Sequence, residues 1–215
     1  MPSAERLAAG GSLGLLVGHR YRVLAAPLFA VWTQHPLGPE DVVPSVHGPI
    51  HVLVVPEHGA TVDACPAGVG VAAEPENLHH SYRTALVALR LCDPPHTPVV
   101  HADDFGGLVA LLADAPDDIQ QPDVATLDVI ACHPWGLVTV DAVIRSQSVR
   151  QAARHAGVHH STMQTRVDTI VQVMGFNPFD GFGKPRLGTA YLVWRIRHSR
   201  VLEMPAPAMS DSTLA

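Results

Sequence analysis

The run between residues 145 and 176 collects hydrogen-bonding and cationic side chains at the start of a predicted helix. These polar residues are His159, His160, Ser161, Thr162, Gln164, Thr165 and Arg166. Glutamine can pair with adenine, arginine with guanine, and serine or threonine with either base, and each can also bind phosphate. A helix-turn-helix places this part of its second helix in the major groove of DNA. The residue types therefore favour DNA recognition.

The apolar residues of the same stretch predict two short helices joined by a tight turn. In the first helix, one face at i, i+3, i+4 and i+7 consists of Val149, Ala152, Ala153 and Ala156. In the second, the face at i, i+4, i+7 and i+11 consists of Met163, Val167, Ile170 and Met174. Ser148 is the expected N-cap of the first helix, and Ser161 or Thr162 that of the second. Gly157 and Gly175 follow the two helices, where positive φ is often required.

A second interpretation of this hairpin needs no nucleic acid. Amphipathic helices commonly bury one face and leave the other in water. An ordinary helical hairpin with a solvated polar face would show the same spacing of residues. The spacing alone does not separate the two interpretations.

The charge of the chain is unevenly distributed. Its formal net charge of −6 argues against DNA binding when it is taken as a whole. Residues 141–200, however, contain nine Arg and Lys against three acids, giving +6, and the remainder contains five arginines against seventeen acids, giving −12. A basic segment on an acidic body is expected of a nucleic-acid-binding domain joined to a domain with another role, although basic residues that merely decorate a helix surface would give the same count. The candidate contacts to the DNA backbone are Arg150, Arg154, Arg166 and Lys184.

The segment AARHAGVHHSTMQTRV resembles the C-terminal helix-turn-helix of PucR/CdaR-type bacterial transcription regulators, which is itself similar to the DNA-binding hairpin of Fis. The shared pattern is a pair of alanines, a Gly-Val-His step, a polar pair ending in Thr, and an Arg four residues later. The matching residues are Ala152, Ala153, Gly157, Val158, His159, Ser161, Thr162 and Arg166. The likeness covers residues 137–199, because the closing amphipathic helix of these regulators matches Arg186, Leu187, Ala190, Leu192 and Arg195. The resemblance implies a DNA-binding regulator.

Three positions depart from the family pattern. The family usually carries Asn at the position of Ser161, a basic residue at Gln164 and an aromatic residue at Thr165. These differences bear on the operator sequence more than on DNA binding itself.

The first half of the chain is predicted to contain strands followed by helices. Strands are expected at residues 21–32, 50–56, 68–73 and 98–101, and helices at 4–17, at 78–89 and after Asp103 or Asp104 as cap. Pro27 indicates an edge strand or a bulge, and the Pro- and Gly-rich residues 33–49 are expected to lack regular structure. This order of elements implies a small α/β sandwich. Helices at 124–132 and 137–145 then lead into the hairpin, with Trp135 and Trp194 as expected core anchors.

The order of elements in the first half, with GVGVAAEPENLHHSYRTALVALRL followed by PVVHADDFGGLVALL, resembles the GGDEF-like domain that precedes the helix-turn-helix in PucR/CdaR regulators. True GGDEF domains synthesise cyclic dinucleotides, which requires carboxylates for two metal ions and a glycine hairpin that admits the nucleotide. At the corresponding position this chain has His47, Gly48, Pro49, Ile50 and His51, and the early strand RVLAAPL carries no carboxylate. We therefore expect a degenerate domain without cyclase activity, and a protein that is not an enzyme.

The 14 histidines and 3 cysteines do not predict a further site. His79 and His80 are adjacent and would point about 100° apart on a helix. A second group, which shows no recognised ligand spacing, consists of His96, His101, Asp103 and Asp104. We therefore expect no metal and no cofactor. The absence of a C-x-x-C pair suits a reducing cytoplasm, and no run reaches the roughly 18 apolar residues of a membrane span, so a cytoplasmic protein is expected.

The predicted class is α+β, with a small degenerate GGDEF-like α/β sandwich followed by an all-α helix-turn-helix domain. The predicted boundaries are 1–114 for the first domain, 115–123 for a linker, 124–200 for the second domain and 201–215 for a disordered tail. The predicted function is transcription regulation through double-stranded operator DNA bound by a homodimer, with the first domain serving dimerisation or the sensing of a small-molecule effector. The alternative is a ligand- or protein-binding regulatory module whose hairpin docks a protein partner. The single lysine, Lys184, and the abundant Ala, Val and Pro favour a GC-rich genome, such as that of an actinobacterium.

Overall fold

The computed structural model describes residues 3–58, 61–115 and 121–203. The chain divides into two compact units, one formed by residues 1–115 with 199–215 and the other by residues 116–198. The first unit contains a sheet with helices and the second is helical, which confirms the predicted α+β class. Most of the predicted linker and residues 204–215 of the predicted tail lie outside the described residues.

The first unit is built on seven strands and three helices within the described residues. The strands are β1 Tyr21–Pro27, β2 Val31–Gln34, β3 Glu40–Ser45, β4 Gly48–Pro56, β5 Asp63–Cys65, β6 Ala67–Val69 and β7 Val99–His101. The helices are α1 Ser3–Ser12, α2 Leu78–Arg90 and α3 Gly107–Asp114. Five strands form one sheet in the order β3-β4-β1-β6-β7, and β2 pairs with β5 in a separate ribbon. All strand pairs are antiparallel except β6 with β7, which is parallel.

Helix α2 lies against one face of this sheet at two glycines of the segment GVG. A Cβ atom placed on Gly68 would lie 2.2 Å from the carbonyl oxygen of Ala85 and 2.3 Å from the amide nitrogen of Leu89. One placed on Gly70 would lie 2.0 Å from the carbonyl oxygen of Ser81. These glycines are therefore required by the close approach of the helix to the sheet.

The opposite face of the sheet carries an apolar cluster. It consists of Leu24, Leu53, Val55 and Val69, all at most 1% exposed. Trp32 from the β2–β5 ribbon packs against this cluster and is itself half-buried. Both faces of the sheet are thus covered, which explains why β1 and β4 read as nearly continuous apolar runs.

Two predictions about the strands are wrong. Pro27 was expected to mark an edge strand or a bulge, but β1 lies between β4 and β6, its register with β4 shows no shift, and Pro27 is its last residue. Residues 33–49 were expected to be irregular, but they contain strand β3, which forms a hairpin with β4 through Gly48 at a φ of 100°. Pro44 is tolerated in β3 because this strand lies at the sheet edge, where one side of the ladder is unpaired.

The predicted cap of the third helix is also wrong. A 3-10 turn spans Ala102–Phe105, and α3 begins only at Gly107, after Gly106 at a φ of 54°. The carboxylate of Asp103 instead lies 2.6 Å from the guanidinium of Arg22 in strand β1. Asp103, which its position in the sequence predicted to be a helix cap, forms an ion pair with a residue distant in the chain instead.

The second unit contains five helices within residues 121–198. They are α4 Pro122–Ala131, α5 Gly136–Ile144, α6 Val149–His155, α7 His160–Met174 and α8 Gly183–Arg197. The buried side chains that join them include Leu127, Ile130, Val140, Val143, Ile170 and Leu187. The helices predicted at 124–132 and 137–145 are confirmed to within two residues. In the part of the chain that the structure describes, no helix has both the length and the apolar character needed to cross a membrane.

Candidate nucleic-acid interface

Helices α6 and α7 form a hairpin whose connection spans residues 156–159. Ala152 and Ala153 are 0% and 3% exposed on α6, which packs against both α7 and α5. Alanine has no side chain beyond Cβ, so the helix axes can approach closely. Gly157 leaves α6 at a φ of 63°, and the amide of Val158 donates to the carbonyl of Ala153 at 3.0 Å. The predicted apolar face, the turn and its glycine are therefore confirmed.

The two N-termini of the hairpin are capped by different residue types. The hydroxyl of Ser148 accepts a hydrogen bond from the amide of Gln151 at 3.3 Å, which confirms the predicted cap of α6. In α7 the cap is His159, whose Nδ1 accepts from the amide of Ser161 at 3.3 Å and lies 2.8 Å from its hydroxyl. The expectation that Ser161 or Thr162 would be the N-cap residue is wrong, because the chain turns helical at His160. His159 is thereby held at the start of α7.

Helix α7 is divided into a buried face and an exposed face. Met163, Val167, Ile170 and Met174 are at most 7% exposed, as their spacing predicted. The exposed residues of its N-terminal half are His160, Ser161, Thr162, Gln164 and Thr165. We call these five residues the polar ridge. Five of the ten predicted DNA-binding side chains thus lie together on one accessible helix.

Hydrogen bonds within α7 orient part of the polar ridge. The amide nitrogen of Gln164 donates to the carboxylate of Asp168 at 2.8 Å, and the hydroxyl of Thr165 donates to the carbonyl of Ser161 at 3.1 Å. Asp168 is itself exposed, one turn beyond Gln164. This bond uses one hydrogen of the Gln164 NH2 group, so the second hydrogen and the carbonyl oxygen remain available as a donor and an acceptor.

Arg150 and Arg154 present two positive charges on α6. They are four residues apart, so they share one side of the helix, and both are exposed. Among the described residues, neither guanidinium has a hydrogen-bond or ion-pair partner. Both are therefore available to bind an anion without first breaking a protein contact.

Arg166 has a different environment from the other predicted contacts. Its guanidinium lies 5.4 Å from the ring centroid of Trp135 and donates to the hydroxyl of Thr139 at 3.4 Å. Thr139 is fully buried on α5, and Arg166 is half-buried. The side chain therefore joins α7 to the start of α5. Trp135 contacts this cation and stacks on His133, with ring centroids 4.6 Å apart.

Lys184 also makes contacts inside the helical unit. Its ammonium donates to the carbonyl of Ser146 and lies 3.5 Å from the side-chain oxygen of Gln147. Ser146 is fully buried between α5 and α6, and its hydroxyl lies 3.1 Å from Nδ1 of His155. Lys184 therefore stabilises the entry to α6, since a cation is favourable near the free carbonyl groups at the end of α5.

The closing helix α8 is tied to α4 by polar contacts that sequence analysis did not identify. Arg186 makes two hydrogen bonds with the carboxylate of Asp123, at 2.8 and 3.1 Å, and these bonds raise the pKa of Arg186. The indole nitrogen of Trp194 donates to Asp128 at 2.7 Å. Trp194 is half-buried and acts as an anchor through its N–H group as well as its ring. Asp123 and Asp128 carry no local pattern that points to partners more than 60 residues away.

We expect Arg166→Ala to lower the free energy of unfolding by about 1–2 kcal/mol, because it removes a cation–π contact and leaves the buried Thr139 hydroxyl without this donor. Urea unfolding of the full chain, followed by far-UV circular dichroism, would measure the change. Arg154→Ala is the matched control, with an expected change within about 0.5 kcal/mol because the side chain is exposed and unpaired. Equal midpoints for the two variants would show that Arg166 does not join α7 to α5.

No family model matches the chain, and no curated protein does so. Among solved structures, a regulator of polyketide synthase expression from Bifidobacterium adolescentis is similar over 89% of this chain and 86% of that chain, with 18% sequence identity and a TM-score of 0.35. At these values the likeness does not extend to function.

Proposed function

We propose that this chain is a sequence-specific DNA-binding regulator of transcription that reads duplex DNA through the polar ridge of α7. The observation that carries the proposal is the division of this helix, with a fully apolar face buried and a row of hydrogen-bonding side chains exposed at its N-terminal half. A major groove admits one α-helix and presents donors and acceptors that such side chains can read. The PucR/CdaR-like sequence pattern of the hairpin agrees with this role.

The proposal assigns different tasks to the predicted site residues. His160, Ser161, Gln164 and Thr165 would face base edges, with His159 and Thr162 at the helix start near a backbone phosphate. Arg150 and Arg154 would bind phosphate, because their guanidinium groups are exposed and unpaired within the described residues. Arg166 and Lys184 would keep the hairpin in position through Trp135, Thr139 and Ser146.

A single hairpin offers little contact area, so we propose that a homodimer binds two half-sites one helical turn apart. The α/β unit would then act as a degenerate GGDEF-like domain for dimerisation or for sensing a small-molecule effector. A cyclase would carry its signature at residues 47–51. In this chain these residues form the end of the β3–β4 turn and the start of β4, and they include no carboxylate. Calorimetry with a purine nucleoside triphosphate and Mg²⁺ would test this absence of cyclase chemistry.

A second candidate is a module that binds a protein partner through the helical unit. Asp168 favours it, since this exposed carboxylate would repel phosphate and already holds Gln164. Exposed apolar side chains of the same unit also favour it: Val129, Val138 and Phe182 are 54%, 59% and 82% exposed. Exposed apolar side chains suit a protein partner more than a duplex.

Selection of bound duplexes from a random oligonucleotide pool would distinguish the two candidates. A DNA-binding regulator is expected to enrich a motif, and its affinity for that motif should fall steeply as salt rises. A pool without enrichment, together with weak binding that is equal for all duplexes, would remove the DNA-binding proposal.

On an enriched duplex, we expect Gln164→Ala to reduce discrimination against a substituted base pair by about tenfold, because one base contact is worth roughly 1–3 kcal/mol. The affinities of the variant for the selected and substituted duplexes would be measured by fluorescence anisotropy. Gln172→Ala is the matched control, since Gln172 is exposed on the same helix two turns beyond the polar ridge. If both variants kept full discrimination, Gln164 would have no part in base recognition.

A further inference from the structure

Three potential metal ligands meet on the surface of the α/β unit. Nε2 of His51 lies 2.9 Å and Nε2 of His35 lies 3.3 Å from the same carboxylate oxygen of Glu40. The ligand atoms of all three residues lie within 4.8 Å of one another. Among the described residues, no other group of three or more His, Cys, Asp or Glu side chains has this arrangement.

The pairing of strands β3 and β4 creates this cluster. His51 is opposite Val42 in the ladder, so Glu40, two residues before Val42, is its diagonal neighbour on the same face. His35 follows directly after strand β2, in the ribbon that packs on this face. Three separate segments therefore each contribute one side chain.

Trp32 orders the two imidazole rings. Its ring lies 5.0 Å from that of His35 and 5.8 Å from that of His51, and the two imidazoles stack 5.6 Å apart. The side chains of His51, His35 and Glu40 are 19%, 41% and 50% exposed. The cluster thus packs against the ring of Trp32 on one side and is open to solvent on the other.

The spacing of the ligand atoms fits a tetrahedral zinc ion. Bonds of about 2.0–2.1 Å at tetrahedral angles place neighbouring ligand atoms about 3.3 Å apart. The distance from Glu40 to His35 is 3.3 Å and that to His51 is 2.9 Å, while the ligand atoms of the two histidines lie within 4.8 Å of each other. Two imidazoles with one carboxylate suit zinc better than Mg²⁺ or Ca²⁺, which prefer oxygen ligands only.

We propose that His35, Glu40 and His51 bind a divalent transition-metal ion, of which Zn²⁺ is the expected one, with the fourth coordination position open to solvent. The bound ion links the end of β2 to the β3–β4 hairpin and so stabilises the α/β unit. This site is independent of the proposed DNA binding, and its test involves no DNA.

A different explanation of the same geometry is a pair of hydrogen bonds. Each imidazole Nε2 that carries a proton can donate to Glu40, and the distances fit this arrangement as well. The two explanations differ in their response to metal, because only the first requires both nitrogens to be free of protons and available to an ion.

The test uses the full chain with any purification tag removed and metal stripped by a chelator. Titration with Zn²⁺ against a chromophoric competitor is expected to give one tight site per chain and a higher thermal midpoint. Co²⁺ in place of zinc is expected to give the visible absorption of a tetrahedral complex. His51→Ala and His35→Ala should each raise the Kd by more than about tenfold, since even outer ligand partners affect metal affinity by roughly 10–100-fold.

His96→Ala is the matched control, because His96 is an exposed histidine of the same unit outside the cluster. Its Kd for Zn²⁺ and its cobalt spectrum should equal those of the unaltered protein. The far-UV circular dichroism of each variant would establish that it is folded. If His51→Ala does not fold, the affinity of His35→Ala for Zn²⁺ tests the site instead. No tight site in the unaltered chain, or equal loss of affinity in the His96 variant, would overturn the proposal in favour of the hydrogen-bonded pair.

Discussion

Replacing Arg150 and Arg154 together by alanine is expected to weaken binding to the selected duplex about 100-fold or more at moderate salt. Each hydrogen bond between a guanidinium and a phosphate contributes about 1.5–3 kcal/mol, and tenfold in affinity corresponds to about 1.4 kcal/mol. The slope of log affinity against log salt should become shallower by about 1.8, because each lost phosphate contact accounts for roughly 0.9. Fluorescence anisotropy across a salt series measures both quantities. The fold should be unaffected, since both side chains are exposed and unpaired in the described structure.

The matched control for this double variant is Arg200→Ala, which removes a positive charge outside the helical unit. The Arg200 side chain is 83% exposed and pairs only with Glu203, which is 65% exposed, among the described residues. Its affinity and salt slope should stay close to those of the unaltered protein. If the double variant bound DNA like the control, α6 would not contact the duplex, and docking of a protein partner would become the better proposal.

Replacing Gly68 by alanine is expected to lower the free energy of unfolding by about 3 kcal/mol or more, at the upper end of what overpacking costs. The added Cβ would lie within 2.3 Å of two backbone atoms of α2, the oxygen of Ala85 and the nitrogen of Leu89. Backbone atoms of a packed helix cannot rotate away as a flexible side chain can, so the helix must move off the sheet. Thermal and urea unfolding followed by far-UV circular dichroism would measure the loss.

Gly107→Ala provides the control for this substitution. Gly107 begins α3 in the same unit, and no atom lies within 4 Å of an added Cβ there. Alanine should be neutral or stabilise slightly at this position, by up to about 1 kcal/mol. Equal stability of the Gly68 and Gly107 variants would contradict the close contact between α2 and β6.

Local periodicity was sufficient to predict the hairpin and most helices. The apolar face of α7 was read correctly from Met163, Val167 and Ile170, because a spacing of three and four residues is a property of the helix itself. Gly157 and the cap at Ser148 were also predictable, since both satisfy backbone requirements within a few residues. The assignment of a DNA-binding role to the exposed side of α7 stays a prediction.

Long-range contacts determined what the sequence did not reveal. Strand β3 has a proline-marked sequence that looks irregular, and it becomes a strand because β4 supplies its hydrogen-bonding partner. Arg166 and Lys184 looked like free cations, but Trp135, Thr139 and Ser146 lie beside them only after the helices have packed. Asp103 was predicted to cap a helix, but in the folded chain its carboxylate lies 2.6 Å from the guanidinium of Arg22.

The cluster of His35, Glu40 and His51 illustrates the difference most clearly. Its members are separated by 5 and 11 residues in the chain, and no standard ligand spacing joins them. Sequence by itself determined the helices, the polar ridge and the basic character of residues 141–200, because these depend on neighbours within one or two turns or on composition. The tertiary structure alone decided which side chains meet across strands and helices, because strand register and helix packing depend on the free energy of the whole core.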